Sequence, residues 1–241
     1  MTFLADVVRW FADPTHWQGG GGIPHRLEEH VLMALAATAT AAAIALPVGL
    51  TLGHFGRGGA LAINVSNVGR ALPSIAILVM AVQLIGIGVV PAFVALVALA
   101  VPPIVTNAFV GMREVDEQLR EAAKGIGMRG LQVLLKVELP NAMPVVMAGV
   151  RTSGVQVVAT ATLAALVGWG GLGRYIIDGI SQRDFVQVFA GAVMVALLSA
   201  VVEVLLAGLQ RLLTPTGLRS ATSRARWGAV AAGAPQAEPV T

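Results

Sequence analysis

Residues 71–112 read ALPSIAILVMAVQLIGIGVVPAFVALVALAVPPIVTNAFVGM, 42 consecutive positions without an acidic or basic side chain. A helix crosses a bilayer with about 20 apolar residues, so this stretch is long enough for two crossings. Gly86, Gly88 and Pro91 interrupt it near the middle, which predicts membrane spans near 62–85 and 90–112. The stretch therefore predicts an all-α fold, a polytopic helical bundle in a membrane.

The composition of the whole chain agrees with this prediction. Of 241 residues, 56% are hydrophobic and 12% are charged, and the mean hydropathy is +0.79. Soluble domains carry about 25% charged residues, so the composition excludes a soluble enzyme, a coiled coil and a disordered chain. The absence of cysteine excludes disulfides, thiol catalysis and cysteine-ligated metals. A net charge of +3 indicates basic loops beside a lipid bilayer and no nucleic-acid partner.

Three further apolar stretches predict spans near 31–53, 140–167 and 187–212, which makes about five transmembrane helices. With the N-terminus outside, ten Lys and Arg residues fall in the inside segments and four in the outside segments, which favours a cytoplasmic C-terminus. Three domains are predicted. Residues 1–26 form an interfacial helix with a glycine-rich joint, residues 27–214 form the membrane domain, and residues 215–241 form a basic, disordered cytoplasmic tail.

Motifs for catalysis and cofactor binding are missing from the sequence. Lys124 and Lys136 are the only lysines, and neither completes a phosphate-binding P-loop. The four histidines precede residue 55 without metal-ligand spacing, so no catalytic residue and no metal site are predicted. The stretch GWGGLG at 168–173 fits the dinucleotide pattern G-x-G-x-x-G, but it lies between apolar spans without the required strand. We expect a turn at a helix end or an outer gate, formed by Gly168, Gly170, Gly171 and Gly173.

The segment 113–138 holds ten of the 29 acidic and basic residues. Asp116 can cap a helix that ends at Gly125 and Gly127, and a second short helix is expected over 128–137 before Pro140 closes it. The second helix would carry an apolar stripe of Leu131, Leu134 and Leu135. A helix–turn–helix of this kind between two spans is suited to docking another protein, although a solvated helix face is the simpler alternative.

The same segment resembles a known family. Glu121-Ala122-Ala123, Gly127 and Val137-Glu138-Leu139-Pro140 match the pattern E-A-A-x3-G-x9-I-x-L-P, with Val in place of Ile. That pattern is the signature of the membrane subunits of binding-protein-dependent ABC importers, and the resemblance extends over roughly 27–214. It implies a type I importer permease architecture with a cytoplasmic coupling loop at 113–140. The residues that the resemblance assigns to ATPase coupling are Glu121, Ala122, Ala123, Gly127, Leu139 and Pro140.

The resemblance also implies the partners. Two ATP-binding subunits would carry ATP and Mg, and this chain would hold no cofactor. An extracytoplasmic binding protein would deliver the substrate, and a second copy of this permease or a related chain would complete a pathway that works by alternating access. The location would be the plasma membrane of a prokaryote.

Further matches point to the osmoprotectant group, which takes glycine betaine, carnitine or choline. They comprise the segment 70–74, which is similar to a T-I-P-S motif of that group, and the segments 136–140, 148–152 and 160–173. The alternatives are a methionine-type importer permease and, from another class, an autonomous channel or an intramembrane enzyme.

Charged and polar residues inside the spans are the remaining candidates. They are costly in lipid and usually face a cavity or a partner, so Arg70 or Arg151 is expected to pair with Glu203, to line the pathway, or to snorkel. Pro73 is expected to break the second span, either lining a substrate path or serving packing alone. The full set of pathway or ion-pair candidates is Arg70, Pro73, Ser74, Arg151, Thr160 and Glu203.

Overall fold

The computed structural model describes residues 2–215, with the side chains of residues 3–60, 63, 64, 67, 69 and 71–215. The predicted tail beyond residue 215 and the side chain of Arg70 lie outside these residues. The helices are α1 (Thr2–Ala12), α2 (Ile23–Phe55), α3 (Gly59–Ala71), α4 (Ser74–Ile85), α5 (Val89–Arg113), α6 (Glu117–Gly125), α7 (Gly130–Val133), α8 (Leu139–Thr160), α9 (Gly173–Gln182) and α10 (Phe185–Leu213).

Four of the described helical stretches are individually long and apolar enough to cross a membrane. In chain order they are α2, α5, the continuous stretch 130–167 that contains α7 and α8, and α10, each close to a predicted span. The predicted span 62–85 is instead divided into α3 and α4. Pro73 lies between them in an extended conformation, with φ −60° and ψ 130°, because proline has no N–H to continue the helical ladder.

Contacts between helix ends establish the path of the chain. The end of α2 and the start of α8 meet through His54 and Glu138, and Met112 at the end of α5 joins them through Arg120. Because α2 and α5 end on the same side, the chain must return between them, and α3 with α4 makes that return. Four long helices and one broken pair therefore account for the predicted bundle of about five crossings.

Small residues let α2 and α5 pack closely. Ala37, Ala41 and Ala45 are fully buried on α2, and Ala100 and Ile104 are fully buried on α5. Small residues repeated every fourth position allow helix backbones to approach each other in a membrane, where van der Waals packing drives association. The alanine stripe of α2 also contacts Val157 and Val158 of α8, so α2, α5 and α8 form the centre of the bundle.

One expected helix boundary is wrong. Pro140 was expected to close the second cytoplasmic helix, but α7 continues through a π-helical turn, Leu134–Glu138, directly into α8. A proline lacks a donor and crowds the carbonyl four residues earlier, and the wider π turn relieves that crowding. The side chain of Asn141 donates to the Val137 carbonyl at 2.7 Å, an additional hydrogen bond within this turn.

The N-terminal helix α1 packs along α10, with the rings of Phe3 and Phe189 in edge contact at 5.4 Å. A short 3₁₀ turn, Pro14–Trp17, follows it. The hydroxyl of Tyr175 donates to the Gly21 carbonyl at 2.7 Å and so ties the turn at 19–22, which follows the 3₁₀ turn, to α9.

Candidate functional site

The helix α6 lies between α5 and α7 at the end of the bundle where α2 also ends. The Asp116 side chain accepts a hydrogen bond from the backbone N–H of Gln118, which caps the helix as the sequence predicts. The helix buries Arg120 and Ala123 against the bundle, whereas Glu121, Ala122 and Lys124 are exposed. The chain thus presents one face of α6 away from the membrane domain.

The turn after α6 is open and apolar. Gly127 has φ +85°, a conformation that favours glycine, and a Cβ added there would meet no atom within 4 Å. Ile126 next to it is 81% exposed, and Leu131 and Leu135 on the following helix are 66% and 51% exposed. We call these three side chains with Glu121 the loop surface. Large apolar side chains that project together from a charged segment are typical of a contact surface for another protein.

Behind the loop surface lies a buried ionic cluster. Glu138, which is 2% exposed, has Oε2 2.5 Å from Nδ1 of His54 and Oε1 3.0 Å from Nε of Arg120. Arg120 also donates through Nη2 to the carbonyl of Met112. The cluster borders a polar cavity of about 380 Å³ that Lys124 also lines. Leu139 and Pro140 follow Glu138 and are half-buried.

The glycine-rich turn at 168–173 lies at the opposite end of the bundle. The Glu29 carboxylate accepts from the backbone N–H of Gly171 at 2.8 Å and from Arg26 at 2.9 Å, and a Cβ on Gly170 would overlap it. His30, fully buried beside Glu29, places Nε2 2.9 Å from the Val158 carbonyl.

Backbone geometry and close packing explain the other two glycines of this turn. Gly168 has φ +84° and ends a 3₁₀ helix, whereas Gly173 packs against the backbone of Thr162. The turn therefore joins the start of α2 to the end of α8, and its glycines provide backbone freedom and close approach rather than a nucleotide site.

Two of the intramembrane candidates meet across α8 and α10. Arg151 and Glu203 form an ion pair through Nη2 and Oε1, and each side chain remains more than one-third exposed. Arg151 Nη1 also donates to Gln210 at 3.3 Å, and Gln210 donates to the Pro144 carbonyl at 2.8 Å. These contacts form a polar ladder between two mainly apolar helices.

Two other candidates meet at the break in the second span. Ser74, at the start of α4, and Thr160, at the end of α8, line the same small cavity between α4, α5 and α8. The Thr160 hydroxyl donates to the Gln156 carbonyl at 2.7 Å, and Pro73 is exposed beside Ser74. Among the described residues, no three His, Asp or Glu side chains form a group that could hold a metal ion.

The sequence reasoning missed the contacts of His54, Glu138 and Glu29. His54 and Glu138 are 84 positions apart, and Glu29 and Gly171 are 142 apart, so no local pattern connects them. A signal existed for Glu138, since a carboxylate among the apolar residues that lead into a span needs a partner. That signal identifies the need for a cation but not which cation supplies it.

Comparisons with known proteins agree on one family. Residues 45–216 match the family described as binding-protein-dependent transport system inner membrane component. The choline transport system permease protein OpuBB of Bacillus subtilis is 40% identical over 200 residues, which cover 83% of this chain and 92% of that protein. The carnitine transport permease protein OpuCB of Listeria monocytogenes is 39% identical over 193 residues, which cover 80% of this chain and 88% of that protein.

A solved structure resembles the fold. An inward-facing conformation of the MetNI methionine ABC transporter matches with a TM-score of 0.70 over 84% of this chain and 99% of the solved chain. The sequence identity is 24%, so this likeness shows the helical architecture alone. The sequence relatives favour the osmoprotectant group over the methionine type. The chain is a multi-pass membrane protein and belongs to the inner-membrane permease subunits of binding-protein-dependent ABC importers.

Proposed function

We propose that this chain is the permease through which an ABC importer brings a quaternary ammonium osmoprotectant such as choline, glycine betaine or carnitine into the cell. The observation that carries the proposal is the 38–40% identity, over about four-fifths of this chain, to three permeases named for those solutes. Members of this family act with ATPase subunits and an external binding protein, so ATP and Mg belong to the partner. The copy numbers proposed are two ATPases and two permeases, either identical or related.

The loop surface is the proposed contact with the ATPase. Glu121 supplies an exposed charge in this surface, and Lys124 supplies another beside it. Ile126, Leu131 and Leu135 supply apolar area that would be buried on docking. Burial of apolar area contributes about 25 cal/mol per Å², so these three side chains would provide a substantial share of the affinity. Ala122 adds little bulk beside Glu121 and permits close approach of the partner.

The proposed orientation places α6 and the C-terminus in the cytoplasm. The end of the bundle with α6 carries Arg57, Arg113, Lys124, Arg129 and Lys136, whereas the end with the glycine turn carries fewer basic residues. Lys and Arg accumulate in the cytoplasmic loops of membrane proteins. In this orientation α1 and the glycine turn face the outside, where α1 would lie at the membrane surface and the turn would meet the binding protein.

The proposed substrate path runs beside the break at Pro73. Ser74 and Thr160 lie at a junction of three helices, where a cavity of about 10 Å³ would have to widen during alternating access before a solute could pass. Arg151 and Glu203 neutralise each other within the membrane and are proposed to hold α8 against α10 rather than to contact the substrate.

Uptake in cells tests the substrate class. Cells that lack their own osmoprotectant importers would express the permease with its ATPase and binding protein, and would receive radiolabelled choline, glycine betaine, carnitine or methionine. We expect uptake of at least one quaternary ammonium solute and none of methionine, with cells that lack only the permease as the control. Uptake of methionine alone would overturn the proposal.

A further inference from the structure

The helix α6 is held to the membrane domain mainly by the buried ionic cluster. Arg120 and Ala123 are the buried side chains of α6. Arg120 contacts the Glu138 carboxylate and donates a hydrogen bond to the carbonyl of Met112. Alanine contributes little contact area, so the ionic contacts of Arg120 decide how tightly α6 follows the bundle.

Glu138 in turn connects α6 with α2 and α8. The side chain of Glu138 is 2% exposed, and leaving a buried charge without its partner is strongly unfavourable. Displacement of α6 therefore pulls Glu138 through Arg120, and Glu138 pulls the end of α2 through His54. Because 130–160 is continuously helical, the same displacement is carried along α8 towards the ladder that contains Arg151.

We propose that Glu138 is the positioning residue that makes the cytoplasmic ends of α2, α5, α6 and α8 move as one unit when an attached ATPase displaces α6. This inference rests on the proposed function, in which the loop surface contacts the ATPase. It assigns a different task to Glu138, because a side chain that is 2% exposed cannot contact the partner. In this proposal the loop surface binds the ATPase, and the ionic cluster behind it transmits the movement of α6 to α2, α5 and α8.

The test uses the complete transporter in lipid vesicles, with the ATPase, the binding protein and labelled substrate. Glu138→Gln keeps the shape of the side chain but removes the charge that holds Arg120. We expect the ATPase to copurify with this variant within twofold of wild type, while the number of substrate molecules imported per ATP hydrolysed falls at least tenfold. Glu114→Gln, at an exposed carboxylate at the end of α5, is the matched control and should leave this ratio unchanged.

A second variant covers poor folding of the first. Arg120→Lys keeps the positive charge of α6 but replaces the planar guanidinium, whose Nε lies against Glu138 and whose Nη2 donates to the Met112 carbonyl, with a single ammonium group, so the same fall in the ratio is expected. A wild-type ratio in either variant would overturn the role of Glu138. Failure of the wild-type permease to copurify with the ATPase would instead refute the docking proposal, whatever the variants do.

A distance measurement tests directly whether α6 and α2 move together. The sequence has no cysteine, so single cysteines for spin labels can be introduced at the exposed positions Leu119 on α6 and Val48 on α2, outside the loop surface, without background labelling. The distance between the two labels should stay the same with and without ATP in the wild-type transporter, and should change or broaden in Glu138→Gln. A wild-type distance that changes with ATP would show that α6 moves independently of α2 and would overturn the inference.

Discussion

Substitution of Gly49 by alanine should weaken the contact between α2 and α5 by an amount that the structure defines. A Cβ at this position would lie 2.6 Å from the Cβ of Ala108 and 2.7 Å from the carbonyl oxygen of Val105. Non-bonded carbon atoms prefer about 3.5–4.0 Å, so the two helices would have to separate by roughly 1 Å. One of the two obstacles is backbone, so a rotamer change cannot relieve it. Gly53, one turn further along α2, makes an equally close approach to Met112.

The magnitude follows from two opposing effects. Overpacking a close contact costs about 1–3 kcal/mol, and the rigid obstacle places Gly49→Ala in the upper half of that range. Alanine gains up to about 1 kcal/mol over glycine in helix propensity. Gly208 provides the matched control, because it lies in a span and an added Cβ there meets no atom within 4 Å. Its substitution by alanine keeps the gain in propensity without the clash.

Reversible unfolding in mixed micelles would measure both variants. Gly49→Ala should lower the free energy of unfolding by about 1–2 kcal/mol, and Gly208→Ala should leave it unchanged or raise it slightly. The difference between the two variants isolates the packing cost, since the propensity gain is common to both. Equal unfolding free energies for the two variants would refute the close approach of α2 and α5.

Three further outcomes are expected. Gly127→Val, which forces φ +85° on a β-branched residue at about 1–2 kcal/mol, should abolish substrate-stimulated ATP hydrolysis while the permease stays in the membrane, and Gly125→Ala should retain it. Reversal of the charge at Arg151 or Glu203 alone should lower the amount of folded permease recovered from membranes, and reversal of both should restore it, unless the two side chains act separately. Burial raises the pKa of Tyr175, so its hydrogen bond to the Gly21 carbonyl contributes stability that is fully present below about pH 10 and is lost as the pH rises through the raised pKa. Proteolysis of the N-terminal segment should therefore increase at alkaline pH, whereas Tyr175→Phe should show no such step.

Features that depend on neighbouring residues could be predicted from the sequence. The charge-free stretches placed the long helices, because lipid demands about 20 apolar residues for every crossing. Asp116 marked the start of α6, and Gly125 marked its end, because caps and glycines act within one turn. Pro73 marked the break between α3 and α4 for the same local reason.

Features that depend on tertiary contacts could not be predicted. The sequence predicts that Arg70, Arg151 and Glu203 lie at similar depth, but it does not predict which arginine pairs with the glutamate. The structure shows the pair of Arg151 and Glu203. Sequence rules predict a helix boundary at Pro140, since they cannot foresee that a π turn continues the helix past it. Glu138 lay within the recognised loop, yet its partners come from α2 and α6, and the pairing exists only after the bundle has formed.

The contacts at the two ends of the bundle have a common consequence for how the permease can move. At the end with the glycine turn, Glu29 and His30 tie the start of α2 to the segment that follows α8, and to α8 itself. At the other end, Glu138 ties the start of α8 to the end of α2. Between these ties the small residues of α2 pack closely against α5, so α2, α5 and α8 cannot slide past one another without breaking buried polar contacts at both ends. We therefore expect a movement imposed on α6 to rotate this block as a rigid body, with relative motion at elements outside it such as α4, which Pro73 separates from α3.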